Sequence, residues 1–324
     1  MKIIHIILSK DFAGSERYVT ELINFQSQNH DCYLLKNINN QDPQFVDKID
    51  KKIKIFNIKN FFRSYQINKI IEEISPDIVH THLGNSSKLI KKSDKFKLVS
   101  TSLMNFKIKY YKNHDGIIVL NRTQEKIIKK DFKGKVKKIY LWTNLVKKGN
   151  LNNLNLKEKL NIPIGSYVFG SIGRFHPQKG FDLLLEAFIR ANLKNTYLIL
   201  AGRHSENFKK YNSEKIKIID HQQELDYFFN SIDCFVMPSR WEGFGLILLE
   251  AMVFKIPIIS SVTEGNEEWI SDYPILTFQN ENIAELTMLL KKQRLIKNCI
   301  IEYDLGQFDY KKNSKEVENF YLSI

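Results

Sequence analysis

Short apolar runs alternate with longer segments of helical period along the chain. In the first half the runs are KIIHIIL, DCYLLK, IKIFNI, DIVHTH, KLVSTS and GIIVLN; in the second they are YVFGSIG, TYLILAG, KIKIID, CFVMPS and IPIISS. Runs rich in Ile and Val without polar alternation suit parallel strands covered on both faces. Between them SERYVTELINFQSQ, FDLLLEAFIRANL and FGLILLEAMV carry apolar residues at helical spacing. Strand–helix alternation of this kind predicts an α/β fold. The two halves also begin alike. Residues 1–28 run strand, glycine-containing loop (SKDFAGSE) and helix, and residues 167–193 repeat that order through GSIGRFHPQKG. The repeat predicts two Rossmann-like domains with parallel sheets facing across a cleft. The break is expected between the basic stretch ending near Lys138 and the polar segment KKGNLNNLNLKEK.

The length, 324 residues, suits two domains of roughly 100–200 residues each. With 43% hydrophobic and 26% charged residues the composition is that of a globular protein, which argues against wholesale disorder. Cys32, Cys234 and Cys299 are odd in number and widely spaced, so they form no disulfide framework or metal-ligand pair and point to a reducing compartment. The apolar part of MKIIHIILSKD is too short for a secretory signal, and no run approaches the roughly 18 apolar residues of a membrane span. A soluble, cytoplasmic protein is expected. Its net charge of +13 has two readings: coding bias towards Lys, Ile and Asn, or an anionic partner such as nucleic acid or an acidic membrane surface.

The segment PSRWEGFGLILLEAM, Pro238 to Met252, places Glu242 and Glu250 with seven residues between them. CFVMPS should end a strand, RWEGFG should form the loop and LILLEAMV a buried helix. Ligands of open α/β sheets sit at the carboxyl ends of strands. The amides of Gly243, Phe244, Gly245 and Leu246 would then lie at a helix N-terminus, which favours phosphate. Glu242 and Glu250 are a little over two helical turns apart and can face one cleft. The competing reading makes both carboxylates caps or solvated charges. It is weak for Glu250, between Leu249 and Ala251, because burying an unpaired carboxylate is costly. A second constellation is GRFHPQKGFDLLLEAF. Arg174, after Gly173, and Lys179, five positions on, could clamp a diphosphate, one as a bidentate fork and one as a point charge. In so basic a chain the alternative is a pair of surface cations. Neither half carries GxGxxG, so a nicotinamide enzyme is not expected.

Taken together, GRFHPQKGFDLLLEAF, YLILAG, DCFVMPSRWEGFGLILLEAM and PIISS resemble the donor-binding half of retaining glycosyltransferases of the GT-B fold, family four, whose Glu-x7-Glu hallmark matches Glu242 to Glu250. The resemblance extends to the N-terminal loop FAGSERYV, the strand PDIVHTH and the final segment FDYKKNSKEVENFY, a helix that in the family crosses back to the first domain. It implies an acceptor-binding domain over 1–142 completed by 308–324, and a nucleotide-sugar-binding domain over 143–307. It further implies that Glu250 binds the donor ribose and Glu242 faces the transferred sugar. Arg174 and Lys179 would hold the diphosphate together with the amides near Gly245 and Leu246, and stabilise the leaving group. Gly14 would let the first domain's loop approach the donor phosphates, and Glu268 falls where the family often has a glutamate near the donor sugar. No Asp-x-Asp occurs in the chain, consistent with cations and a helix dipole in place of a required metal or cofactor.

The sequence departs from the family pattern at Leu103, where a His is frequent, so His80 or His82 is the expected acceptor-side histidine. Phe254-Lys255 stands in place of a Cys-Gly turn, and His221 in place of a Gly. The implied reaction is retaining transfer of a hexose-type sugar from a nucleotide-diphosphate sugar, UDP-sugar first, to a glycan or lipid-linked acceptor in polysaccharide, lipopolysaccharide or glycolipid synthesis. The alternatives are a sugar-nucleotide epimerase sharing the donor site and a nucleic-acid-binding protein. The latter is disfavoured because the lysine-rich runs KKSDKFK and KIIKKDFKGKVKKI hold few aromatic residues. Lys126, Lys129, Lys130, Lys133, Lys135, Lys137 and Lys138, set among Ile127, Ile128, Phe132 and Val136, would instead lay a basic, partly apolar surface on anionic lipid at the inner face of the membrane.

Overall fold

The computed structural model describes the chain except residues 104–106, 146–155, 221, 223–224 and 297–298, so the expectation for His221 lies outside the described residues. The chain divides into two units, Met1–Asn144 with Gly306–Ile324, and Leu145–Leu305. The first holds seven parallel strands: β1 (Lys2–Ile7), β2 (Asp31–Asn37), β3 (Lys54–Ile58), β4 (Ile78–His82), β5 (Lys97–Thr101), β6 (Gly116–Val119) and β7 (Lys135–Lys138). Their order is β3-β2-β1-β4-β5-β6-β7. The second holds β8 (Tyr167–Ile172), β9 (Thr196–Ala201), β10 (Ile216–Ile219), β11 (Cys234–Met237), β12 (Ile258–Ser261) and β13 (Leu276–Phe278), ordered β10-β9-β8-β11-β12-β13. Strand order reverses beside β1 and β4 in one sheet and beside β8 and β11 in the other. These are the positions where an open sheet leaves a crevice at its carboxyl edge.

The central strands are buried on both faces, as their uninterrupted apolar sequence requires. In the first unit Ile4, Ile6, Leu35, Val79 and Leu98 pack against Ile67 and Ile71 of the helix Arg63–Ile74. In the second, Leu184 and Phe188 of the helix Phe181–Ala191 meet Leu198, Leu200, Val236 and Ile259, and Leu286 and Leu290 of the helix Ile283–Leu295 close the layer. The final helix, Tyr310–Leu322, belongs to the first unit. Asp309 caps it by accepting from the Lys312 amide at 2.6 Å, and Val317, Phe320 and Tyr321 are buried. A Cβ added at Gly116 on β6 would lie 2.8 Å from the Phe320 ring, so this helix sits directly on the sheet.

Candidate functional site

The loops after β8 and β11 are neighbours because their strands are. Arg174 and Lys179 ride on the first, which ends in a short 3-10 turn, Pro177–Lys179, followed by the helix Phe181–Ala191. Glu242 rides on the second. Lys179 Nζ donates to Glu242 Oε1 at 2.6 Å, and the Ser239 hydroxyl donates to the same oxygen at 2.6 Å. The lysine side chain is 19% exposed and the carboxylate 9%, so this is a charge-assisted bond in a largely desolvated place. Gln178 ties the loops further: its Nε2 donates to Trp241 O at 3.1 Å, and its own carbonyl accepts from the Arg240 amide at 2.8 Å. Arg174 reaches Gln178 Oε1 at 3.5 Å and is half-buried. Arg240 forks onto Asp182 at 2.9 and 2.7 Å and bonds Glu281 at 2.7 Å; the guanidinium hydrogen bond holds the Asp182 carboxyl below its usual range.

Two glycines set how closely these loops pack. Gly180, at φ +64°, would carry a Cβ 2.0 Å from the Pro238 carbonyl oxygen. A Cβ on Gly202, just after β9, would lie 1.6 Å from the Gly173 carbonyl oxygen. Backbone therefore lies against backbone on both sides of the Gly173–Arg174 loop, and only glycine permits it. Gly173 itself meets nothing nearer than 3.5 Å.

Beyond the loop, Gly245 (φ +88°) precedes the helix Leu246–Val253. Gly243 is half-buried, while the Phe244 ring is buried and lies tilted against Trp269, centroids 5.5 Å apart, leaving its backbone for a ligand. Glu250 is 4% exposed on this helix, a carboxylate in the interior directly behind the loop. Glu268, half-buried, lies in the short helix Glu267–Ile270 that follows β12. The β12 loop is stitched to that of β11: Ser261 Oγ donates to Ser239 O at 2.6 Å, and Asn266 Nδ2 donates to Ser261 O at 3.1 Å. Ser239, Gln178, Gly202 and Asn266 escaped the sequence reading. The glycine closing the run YLILAG was the available signal for one of them.

In the first unit Gly14, exposed, opens the helix Gly14–Gln26. Two residues on, Glu16 turns back to accept from the Ala13 amide at 2.8 Å and from the hydroxyls of Ser9 and Ser15; burial raises its carboxyl above the usual range. His80 and His82 lie in the interior at 0% exposure, on the face of β4 shared with His5 of β1, and neither is presented to a ligand at the surface. His80 bonds the Tyr321 hydroxyl at 2.6 Å and the Thr101 hydroxyl at 2.8 Å; His5 bonds His82 at 3.0 Å and Gln26 at 2.8 Å. Ring nitrogens of His5, His80 and His82 come within 4.8 Å of one another, the separation a metal ion requires; both nitrogens of His5 and His80 and Nε2 of His82 are engaged in this network, while His82 Nδ1 is buried without a hydrogen-bond partner among the described residues. Burial holds all three well below the ordinary histidine range, His5 at about 4. Leu103 is buried at the end of β5.

The lysine-rich segment forms the helix Arg122–Asp131 and the edge strand β7. Lys126, Lys129, Lys130, Lys133, Lys135 and Lys137 are exposed and Lys138 is half-buried. Several have partners: Lys129 bonds Glu125 at 2.8 Å, Lys137 pairs with Glu316 at 3.5 Å, Lys135 bonds Ser323 O, and Lys138 lies over the Tyr140 ring at 4.3 Å. Of the interspersed apolar residues, Ile128 and Phe132 are core and only Ile127 is well exposed, so the surface is basic but scarcely apolar. Lysines on an edge strand also block pairing with another sheet, a structural use for part of this charge.

Two parallel-sheet Rossmann-like units, with an intimate glycine-shaped loop pair at the carboxyl edge of the second, define the fold of GT-B glycosyltransferases. The chain belongs to the glycosyltransferases: the family model "Glycosyl transferases group 1" matches residues 152–302 and "Glycosyl transferase 4-like" matches residues 5–142. It is 30% identical over 279 residues to "Uncharacterized glycosyltransferase MJ1059" of Methanocaldococcus jannaschii, an alignment covering 71% of this chain and 69% of that protein. It is also 30% identical over 181 residues to the O-antigen biosynthesis glycosyltransferase WclY of Escherichia coli, covering 52% of this chain and 50% of that protein. Among solved structures, Anabaena Alr3699/HepE in complex with UDP and glucose aligns with TM-score 0.82 at 16% identity, covering 100% of both chains, a likeness of fold. No helix among the described residues is long and apolar enough to cross a membrane.

Proposed function

We propose that the protein is a retaining glycosyltransferase that moves a hexose from a nucleotide-diphosphate sugar, a UDP-sugar first, onto a glycan or lipid-linked glycan of a surface polysaccharide, lipopolysaccharide or glycolipid. The observation that carries this reading is the Lys179–Glu242 pair at 2.6 Å, bridging two loops at the sheet's switch point. It holds a cation and a carboxylate side by side, the two groups a diphosphate and a sugar hydroxyl would call on. Arg174 and Lys179 supply charge to the leaving diphosphate, with the amides from Gly243 to Leu246 at the helix start. Glu250 accepts from the ribose hydroxyls, and Glu242, with Glu268, faces the sugar hydroxyls. The acceptor oxygen bonds the anomeric carbon on the face from which the diphosphate departs. The electron pair of the broken bond leaves with the diphosphate oxygen, which also takes the acceptor's hydroxyl proton. No metal or other cofactor is required in this reading. The UDP held by the Anabaena neighbour and the O-antigen role in the name of the E. coli relative support the donor and acceptor classes. An anionic membrane is a further partner in this reading; the exposed ammonium groups between Lys126 and Lys138 add only long-range attraction to it, since Ile127 is the one well-exposed apolar residue among them and they supply no anchor.

Calorimetry with UDP, GDP and ADP, with and without EDTA, tests the donor site. UDP should bind in either condition, and failure of every diphosphate to bind removes the reading. Hydrolysis of an α-linked UDP-hexose to water, followed by proton NMR, tests the stereochemistry. The first sugar released should be the α anomer; the β anomer refutes retention. Conversion of the donor to its epimer would instead mark the epimerase, which draws no support from relatives named as glycosyltransferases.

A further inference from the structure

Phe61 and Phe62, 80% and 84% exposed, lie in the turn between β3 and the helix Arg63–Ile74, and Tyr65, 70% exposed, lies in the first turn of that helix. Three aromatic side chains within five residues, all left in water, mark a contact surface. Phe62 holds φ at +51°, a left-handed backbone that a bulky residue seldom adopts, and this conformation forms the helix cap. Gln66 fastens the turn from within: its Oε1 accepts from the Lys59 amide at 3.1 Å, and its Nε2 donates to the carbonyls of Lys59 and Phe61. The Phe62 carbonyl accepts from the Gln66 amide at 3.0 Å, and the Asn60 side chain accepts from Arg63. The Lys59 amide and the Lys59, Phe61 and Phe62 carbonyls are thus bonded within the turn, which lowers the cost of placing it among lipid headgroups. Lys59 in the turn and Lys91 and Lys92 on the segment beside the helix are exposed, as is Lys69 further along the helix, which pairs with Glu73 at 3.9 Å. The segment 88–92 is fixed beside the helix by Ser64 Oγ donating to Leu89 O at 2.8 Å and by the Lys91 amide donating to Asn68 at 3.1 Å. From Lys59 to Ile71 there is no acidic residue.

We propose that this aromatic turn inserts into the headgroup region of an anionic bilayer, with the surrounding lysines on the lipid phosphates. Aromatic side chains flanked by cations match that region, where apolar rings enter the acyl boundary and the charges stay at the surface. The position distinguishes this surface from the basic strip at Lys126–Lys138. β3 and β7 are the two edges of the first sheet, six strand spacings or about 29 Å apart. The aromatic turn follows the carboxyl end of β3, while Lys133 and Lys135 stand at the amino end of β7. The proposal needs only this surface and is independent of the sugar-transfer reading, since lipid binding and donor binding are measured separately.

Flotation of the full chain with vesicles tests it, using phosphatidylethanolamine mixed with phosphatidylglycerol against phosphatidylcholine alone. Binding is expected to the anionic vesicles and to weaken with salt. Phe61→Ser with Phe62→Ser should reduce partitioning at least tenfold, since each ring is worth about tenfold at the lower end of side-chain burial. These side chains are solvent-exposed, so an unchanged melting temperature will show the variant folded. Lys129→Gln with Lys130→Gln, on the basic strip, should change partitioning less than about twofold. Phe61→Trp should be quenched by lipids brominated on the acyl chain. Failure of the wild-type chain to prefer anionic vesicles overturns the proposal. So does binding that survives Phe61→Ser/Phe62→Ser but is lost with the strip variant. A dimer in light scattering that the serine variant abolishes, without vesicle binding, assigns the surface to a second copy and overturns it equally.

Discussion

Replacing Lys179 by Met should destabilise the ligand-free protein, and replacing Glu242 as well should restore part of the loss. The reason is an asymmetry in the pair. Glu242 is the more buried partner, at 9% against 19%, and keeps only the Ser239 hydroxyl when the ammonium is gone. Lys179→Met therefore strands a carboxylate in poor solvent, whereas Glu242→Gln leaves a flexible cation that reaches water. A hydrogen bond to a charged group is worth about 1.5–3 kcal/mol, and a unit of this size shifts by roughly 2–4 °C per kcal/mol, so Lys179→Met should lower Tm by about 3–12 °C. Glu242→Gln should cost less, and the double variant should melt above Lys179→Met alone, with a coupling of about 1 kcal/mol or more in the double-mutant cycle. Differential scanning calorimetry with and without UDP completes the test. Lys179→Met should shrink the UDP-induced rise in Tm, which scales with the logarithm of ligand over Kd. Glu242→Gln should keep or enlarge that rise, because the carboxylate no longer competes with the diphosphate for the ammonium. Additive single-variant effects would show that the 2.6 Å contact carries no energy. A UDP-induced rise unchanged by Lys179→Met would remove the lysine from the phosphate site.

Glu250→Ala should weaken UDP binding by roughly 10- to 150-fold through loss of a charged acceptor, and unchanged calorimetric affinity in a folded variant would take Glu250 out of the site. Gly202→Ala, whose Cβ would lie 1.6 Å from the Gly173 carbonyl, should abolish soluble expression or lower the urea midpoint sharply, while Gly173→Ala, with 3.5 Å of clearance, should shift it little. Acid should destabilise the fold early. Burial holds His5 and His114 to about 4, and His80 and His82 well below 6.5, so the folded state stays neutral while the unfolded chain takes up protons. The stability these groups allow is complete above about pH 6.5 and declines towards pH 4, by about 1.4 kcal/mol per pH unit for each histidine that stays neutral. Glu16, raised by burial, offsets part of the loss. A urea midpoint that stays level from pH 7 to pH 5 would show that the histidines are hydrated.

Eleven strands were legible as apolar runs, the edge strands β3 and β10 among them, because each carries several Ile, Leu, Val or Phe residues in a row or nearly so. β7 and β13 were not. Their sequences, KVKK and LTF, hold only one and two apolar residues, too few to register as a run. The spacing of Glu242 and Glu250 was legible, since it falls within one loop and helix. The bond from Lys179 to Glu242 spans 63 residues and exists because β11 is laid beside β8, which no local pattern records. The burial of His80 and His82 escaped for a related reason: a histidine at a strand end reads the same whether a helix covers it or not, and here the Tyr321 hydroxyl of the last helix does. The exposure of Phe61 and Phe62 was equally hidden, because two phenylalanines before an amphipathic helix ordinarily read as core.

The helix Tyr310–Leu322 also governs the order in which the molecule can be made. Its residues complete the first unit, with Tyr321 on His80 and Phe320 over Gly116, yet they are translated after all of Leu145–Leu305. During synthesis the amino-terminal unit must wait, its histidine-bearing face open, until the second unit has left the ribosome. A nascent chain stopped short of residue 310 should therefore hold a protease-resistant second unit attached to a protease-sensitive first one. On that outcome the amino-terminal half, though made first, becomes stable last.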